Sequence, residues 1–158
     1  MLSRVFDAYL TRACLFCSNS TPLDTTTRTI AYRPDLGILI VRWHQDASLP
    51  VLQADYQAML EVAAEHSCAR WLLDVRRREN TDPQLSAWAS ATFYPQAAAR
   101  LLPQRLRLGV LNSTYIYDRF RNDPAHQQHV AYMLAPERPF LVNVFDDEGE
   151  TTRWLQEA

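Results

Sequence analysis

The stretch Arg33-Pro34-Asp35-Leu36-Gly37-Ile38-Leu39-Ile40-Val41-Arg42-Trp43 decides the reading of this chain. Proline presets φ in the turn Pro34–Gly37. The run Ile38–Trp43 that follows is nearly all apolar, the pattern of a strand buried on both faces. Thr27–Arg33 is strand-like as well, and a turn this short between two strands predicts an antiparallel hairpin.

Downstream the period changes. Ser48 reads as an N-cap with Pro50 in the first helical turn. Leu52, Tyr56, Met59, Leu60 and Ala63 then recur on one helical face. Arg70–Val75 returns to a strand. Asp82-Pro83 opens a second helix with Leu85, Trp88, Ala89, Thr92 and Phe93 as its inner stripe, and Pro95 is expected to kink or restart it. Arg107–Leu111 is a strand that ends at Asn112-Ser113-Thr114. Asp123-Pro124 repeats the cap-plus-proline device for a helix to about Leu134. Phe140–Phe145 is the last strand, and Asp147 and Glu150 have capping-box spacing ahead of a short helix with Trp154 and Leu155.

Helical crossovers of this length join parallel strands, almost always right-handedly. The expected architecture is therefore α/β: a mixed sheet of about five strands, the first antiparallel and the rest parallel, with about four helices mainly on one face. Residues 1–22 read as an N-terminal appendage broken off by Ser18-Asn19-Ser20-Thr21-Pro22, and residues 23–158 as a single domain. Val5, Tyr9, Leu10, Leu15 and Phe16 are too few to fold alone, so the appendage is expected to dock on an open sheet face or to join a homodimer.

Composition narrows the chemistry. The chain has 158 residues with 47% hydrophobic and 22% charged, one globular domain's worth. Its three glycines, Gly37, Gly109 and Gly149, lie far apart, so a glycine-rich phosphate loop or dinucleotide fingerprint is absent. All 16 basic residues are arginine. Without lysine there is neither Schiff-base chemistry nor a P-loop lysine. A net charge of −2 gives no global basic field, and no nucleic-acid partner is expected. The run Leu36–Val41 is far short of the roughly 20 apolar residues that span a bilayer, so no membrane span is expected, and the N-terminus lacks the apolar core of a secretory signal. With only Cys14, Cys17 and Cys68, a disulfide scaffold is not expected either, and the location expected is cytoplasmic.

The segments Tyr32–Trp43, Arg70-Trp71-Leu72-Leu73-Asp74-Val75-Arg76, and Val144-Phe145-Asp146-Asp147 leading to Arg153-Trp154-Leu155 resemble small bacterial proteins of the SpoIIAA-like, STAS/SEC14-type group. The resemblance covers about residues 27–157 and is carried by fold-diagnostic positions rather than catalytic ones. It implies a small mixed sheet with helices packed on one side. It also implies a regulatory or binding module; the family's best-known members are anti-sigma-factor antagonists, switched by phosphorylation of a serine where a helix begins after the third strand. Here that stretch is Asp74–Asp82, with Thr81 the only hydroxyl before the helix. Asp82 occupies the N-cap beside it and would repel a phosphate, so no phosphorylation switch is expected.

In open α/β sheets, ligands favour the carboxyl ends of the strands. The residues expected there are Asp74, Arg76, Arg77, Arg78, Asn112, Ser113 and Thr114, with Tyr94 on a helix as a groove-lining aromatic. Three arginines offer planar, bidentate anion recognition. The plainer reading turns Arg76 inward to pair with Asp74 and leaves Arg77 and Arg78 solvated.

Other constellations point to structure. Cys14 and Cys17, with no second pair, read as small apolar residues. His126 and His129 share a helix face but have no third ligand in their neighbourhood, and Asp146–Glu150 caps a helix. Neither a metal nor another cofactor is expected. Ser113 lacks the Gly-x-Ser-x-Gly setting of an esterase nucleophile. The expectation is a non-enzymatic module acting through a protein partner or homodimer; the alternative is a small apolar or anionic ligand at the sheet edge, and less so a hydrolase-like enzyme.

Overall fold

A computed structural model describes residues 22–157, apart from residues 81, 123, 125–130, 133, 134 and 136. The described chain is α/β, built on a mixed sheet of six strands whose spatial order follows the sequence. The strands are β1 (Leu23–Asp24), β2 (Arg28–Arg33), β3 (Ile38–Trp43), β4 (Arg70–Asp74), β5 (Leu106–Leu111) and β6 (Phe140–Phe145). β1 is the strand added to the expected five, a two-residue edge piece antiparallel to β2.

The β2–β3 hairpin closes through Gly37, whose amide donates to the Arg33 carbonyl at 2.8 Å. Gly37 has φ +65°, a left-handed conformation that favours glycine. β3, β4, β5 and β6 are parallel, with Arg42 beside Asp74, Asp74 beside Leu111, and Leu111 beside Phe145. That register brings the carboxyl ends of the strands into one row.

Strands laid down in sequence order by right-handed crossovers send the crossover helices to the same face. α1 (Leu49–Glu65) buries the predicted stripe Leu52, Tyr56, Met59, Leu60 and Ala63. After β4 come α2 (Pro83–Trp88), one turn of π-helix (Ala89–Phe93) and α3 (Tyr94–Arg100). The interruption precedes Pro95, which has no amide to donate to the preceding turn, and a widened turn accommodates the missing bond. These helices and the facing sheet residues form the main core, in which Tyr56 packs 5.6 Å from Trp43, 5.1 Å from Phe93 and 5.8 Å from Trp88, centroid to centroid.

After β5 the chain turns into α4 (Thr114–Asn122), a helix starting earlier than the Asp123-Pro124 signal. The helix expected from that signal lies largely outside the described residues, as do Thr81, His126, His129 and residues 1–21. After β6 comes α5 (Glu148–Gln156), which packs on the opposite face of the sheet. It closes a second, smaller core of Ile38, Leu72, Leu111 and Leu155, with Phe145 and Trp154 beside it. Asp147 caps α5 by accepting from the Glu150 amide at 2.7 Å, and Asp82 caps α2 by accepting from the Gln84 amide at 2.8 Å. Ser48 stands at the N-cap of α1 but makes no side-chain cap bond.

One buried ion pair ties the antiparallel edge to the helical layer. Arg28 on β2 donates from Nε to Asp55 Oδ1 on α1 at 2.7 Å, and the Trp43 indole donates to the other Asp55 oxygen at 3.2 Å. Arg28 Nη1 also donates to the Leu23 carbonyl at 3.1 Å, which holds β1 to the sheet. Among the described residues, no helix is long and apolar enough to cross a membrane.

Candidate functional site

The carboxyl edge carries a four-residue ion network. Arg42 projects from β3, Asp74 ends β4, Arg76 follows in the loop, and Glu148 stands in the first turn of α5. Arg42 Nη1 donates to Asp74 Oδ2 at 2.5 Å and to Glu148 Oε2 at 3.1 Å, while its Nη2 pairs with Glu148 Oε1. Arg76 grips Asp74 bidentately, Nε to Oδ1 at 2.9 Å and Nη2 to Oδ2 at 2.7 Å, and reaches Glu148 Oε2 at 3.2 Å. The Arg76 amide adds a fourth bond to Asp74 at 3.2 Å.

Four bonds match the roughly four lone-pair positions of a carboxylate. Burial raises the Asp74 carboxyl pKa, but the bonds from the Arg76 side chain, its amide and Arg42 outweigh it and hold the group below its ordinary value. Glu148 is likewise lowered, chiefly by its hydrogen bonds with Arg42. Both carboxylates are therefore ionised and committed to arginine at neutral pH. The two arginines are raised in turn, Arg42 chiefly by Glu148 and Arg76 chiefly by Asp74.

Three members of the network, Arg42, Asp74 and Arg76, help to line a cleft of about 370 Å³ together with Trp43, His44 and Arg77. The volume lies at the low end of small-molecule sites. His44 is held by Thr29, Nε2 to Oγ1 at 2.9 Å. Arg77 is exposed and makes no ion pair or hydrogen bond among the described residues.

Of the residues expected at this edge, Asp74, Arg76 and Arg77 come together in the cleft. Arg76 turns inward to Asp74 as the plainer reading had it. Arg78 departs from that reading: its side chain is only 10% exposed, with Nε lying 3.9 Å from Asp46 Oδ1. Asp46 holds the same loop by accepting from the Glu79 and Asn80 amides and from Asn80 Nδ2 at 3.0 Å, so the loop folds inward and carries Arg78 with it.

Tyr94 is also core rather than groove lining, 4% exposed and packed on Phe140 at 5.4 Å. The π-turn Ala89–Phe93 lies just before it, and the buried residues there run Phe93, Tyr94, Ala97 and Ala98. Burial, reinforced by Tyr56, pushes the Tyr94 hydroxyl pKa well up, with the Arg78 charge acting the other way. Asn112, Ser113 and Thr114 do not line the cleft. Asn112 is buried and its amide bonds the Phe145 carbonyl, Ser113 Oγ accepts from the Ile116 amide at 3.4 Å, and Thr114 begins α4.

The sequence reading missed Arg42, His44 and Glu148. Arg42 had a signal, as the one charge in an otherwise apolar strand. Glu148 had none, because a carboxylate in a first helical turn is already explained by the helix dipole. Among the described residues, no group of three or more His, Cys, Asp or Glu is placed to hold a metal ion.

Comparison with known proteins gives no matching family model, no matching curated protein and no matching solved structure.

Proposed function

We propose that the chain is a non-enzymatic, STAS-like binding module of the cytoplasm that acts through a protein partner at the carboxyl edge of its sheet. A small anionic ligand at the same edge is the second reading, favoured by the arginine-lined cleft. The observation that carries the proposal is the commitment of Asp74, Arg42, Arg76 and Glu148 to one another. A general base must be free to take a proton, and Asp74 accepts four bonds with its pKa lowered. Of the two hydroxyls at this edge, Ser113 serves the start of α4 by accepting from the Ile116 amide, and Thr114 is the first residue of that helix. A rigid, hydrogen-bonded edge with Arg77 standing out of it suits recognition, since arginine is enriched among residues that dominate protein interfaces.

Native mass spectrometry of protein purified from its own host tests this. The expected result is a stoichiometric complex with a second polypeptide that Arg77→Glu dissociates. A chain recovered without a polypeptide partner, or a complex indifferent to Arg77→Glu, overturns the reading. A retained small molecule in place of a polypeptide favours the second.

A further inference from the structure

The cleft at the carboxyl edge holds an excess of oriented donors. Three guanidinium groups, Arg42, Arg76 and Arg77, line the cleft with one carboxylate, Asp74. Glu148 pairs with Arg42 and Arg76 from outside the lining, and Arg77 has no paired carboxylate among the described residues. The donors that remain are specific. Arg42 spends both Nη1 hydrogens and one Nη2 hydrogen on the carboxylates and keeps Nε–H and the second Nη2 hydrogen. Arg76 spends Nε and Nη2 and keeps both hydrogens of Nη1. Arg77 keeps all its donors among the described residues.

A carboxylate inside such a cleft would ordinarily compete with an incoming anion. Asp74 does not, because it is 6% exposed and already accepts four bonds. Its role is to hold Arg42 and Arg76 still. Holding them in advance removes much of the side-chain entropy that an anion would otherwise have to overcome on binding.

We infer that the cleft is a binding site for a small organic oxyanion, a carboxylate or a phosphate monoester, anchored by Arg77 together with the spare donors of Arg42 and Arg76. The planar guanidinium fork matches either group bidentately. A cleft of about 370 Å³ admits the anionic head with a body of a few heavy atoms beside His44 and Trp43. The inference rests on the second reading above, a small anionic ligand at this edge of the sheet, and it specifies what chemistry that edge accepts.

Two-dimensional amide NMR of the full chain tests it, with phenyl phosphate, benzoate and neutral benzyl alcohol as probes. The expected result is saturable shifts confined to residues around 42–44 and 74–77 with one or both anions, at a Kd of about 1 mM or tighter, and none with the alcohol. Comparing the two anions identifies which head group the site prefers. Arg77→Gln should weaken binding at least tenfold, while Arg33→Gln, an exposed arginine of the distant hairpin paired with Asp35, should leave it unchanged. Arg77 has no partner among the described residues, so its replacement leaves the fold intact, and the unperturbed remainder of the spectrum verifies this. Failure of both anions to saturate, shifts centred elsewhere, or equal affinity in Arg77→Gln overturns the inference. The titration involves no second protein. Loss of a polypeptide complex in Arg77→Glu without anion binding would keep the protein-partner reading and remove this one, and the converse result would do the opposite.

Discussion

A Cβ built on Gly109 would lie 2.6 Å from Cγ2 of Thr151. Gly109 is on β5 and Thr151 on α5, so the absent side chain is what lets the last helix lie flat on the sheet. Leu155 would meet the same Cβ at 3.3 Å. A glycine within a strand is often a point of close approach, and here the approaching element seals the smaller core.

Gly109→Ala should therefore destabilise the protein by about 1–3 kcal/mol through overpacking. Thr151→Ser removes the offending methyl, and the double variant should recover part of the loss. Urea denaturation of the three variants forms the cycle. Additive effects would mean that the two residues do not press on one another.

The Arg28–Asp55 pair has both side chains 7% exposed. Removing one partner from a buried pair leaves an uncompensated charge, at a cost of about 3–5 kcal/mol. Asp55→Ala also leaves the Trp43 indole without its acceptor. It should show a large drop in urea midpoint, whereas removing the exposed pair Arg33–Asp35 should change the midpoint little.

Acid should weaken the carboxyl edge. Asp74 and Glu148 both have folded pKa values below their ordinary ones, so the unfolded chain takes up their protons at higher pH than the folded one does. Their contribution is fully present above the ordinary carboxylate range of about 3.9–4.3, and it is lost as pH falls through the lowered folded values. Denaturation curves between neutral pH and the acid limb should show this loss, with the slope reduced in Asp74→Asn. The Glu148 share should be the smaller, because its side chain is 40% exposed and solvent screens it.

Arg107 secures the other end of α5. Its Nη1 donates to the Glu157 carbonyl at 2.5 Å and its Nη2 to the Trp154 carbonyl at 2.6 Å, while the guanidinium stacks 4.4 Å from the Trp154 ring. Lysine can supply the charge at a helix C-terminus but not the planar fork or the stack. Arg107→Lys should cost about 1 kcal/mol and speed amide exchange in residues 148–156 while leaving α1 unchanged. Unchanged exchange in α5 would remove this role.

Buried Cys68 gives a further check on the main core. Burial pushes its thiol pKa up, and a protonated, enclosed thiol is unreactive. Peptide mapping after alkylation should find Cys68 unmodified in native protein and modified once urea unfolds it.

The order of strands and helices around the β2–β3 hairpin was legible from local patterns. The Pro34–Gly37 turn, the stripe Leu52–Ala63, and the caps Asp82 and Asp147 each act within a few residues, so their physical causes lie in adjacent sequence. Asp55 was half legible: it sits three residues after Leu52 on the buried stripe, where a carboxylate requires a partner, but nothing local names that partner as Arg28. The site itself was partly legible in Asp74 and Arg76, two residues apart. Its completion by Arg42 and Glu148, which are 106 positions apart, required the parallel register of β3 and β4 and the docking of α5 across the opposite face. The sequence by itself determined most of the strands and helices, because periodicity, turns and caps are short-range, although the edge strand β1 and the early start of α4 were not among them. Only the tertiary structure decided that Arg78 and Tyr94 turn inward and that Glu148 closes the network, because burial and charge pairing depend on what the fold brings from far along the chain.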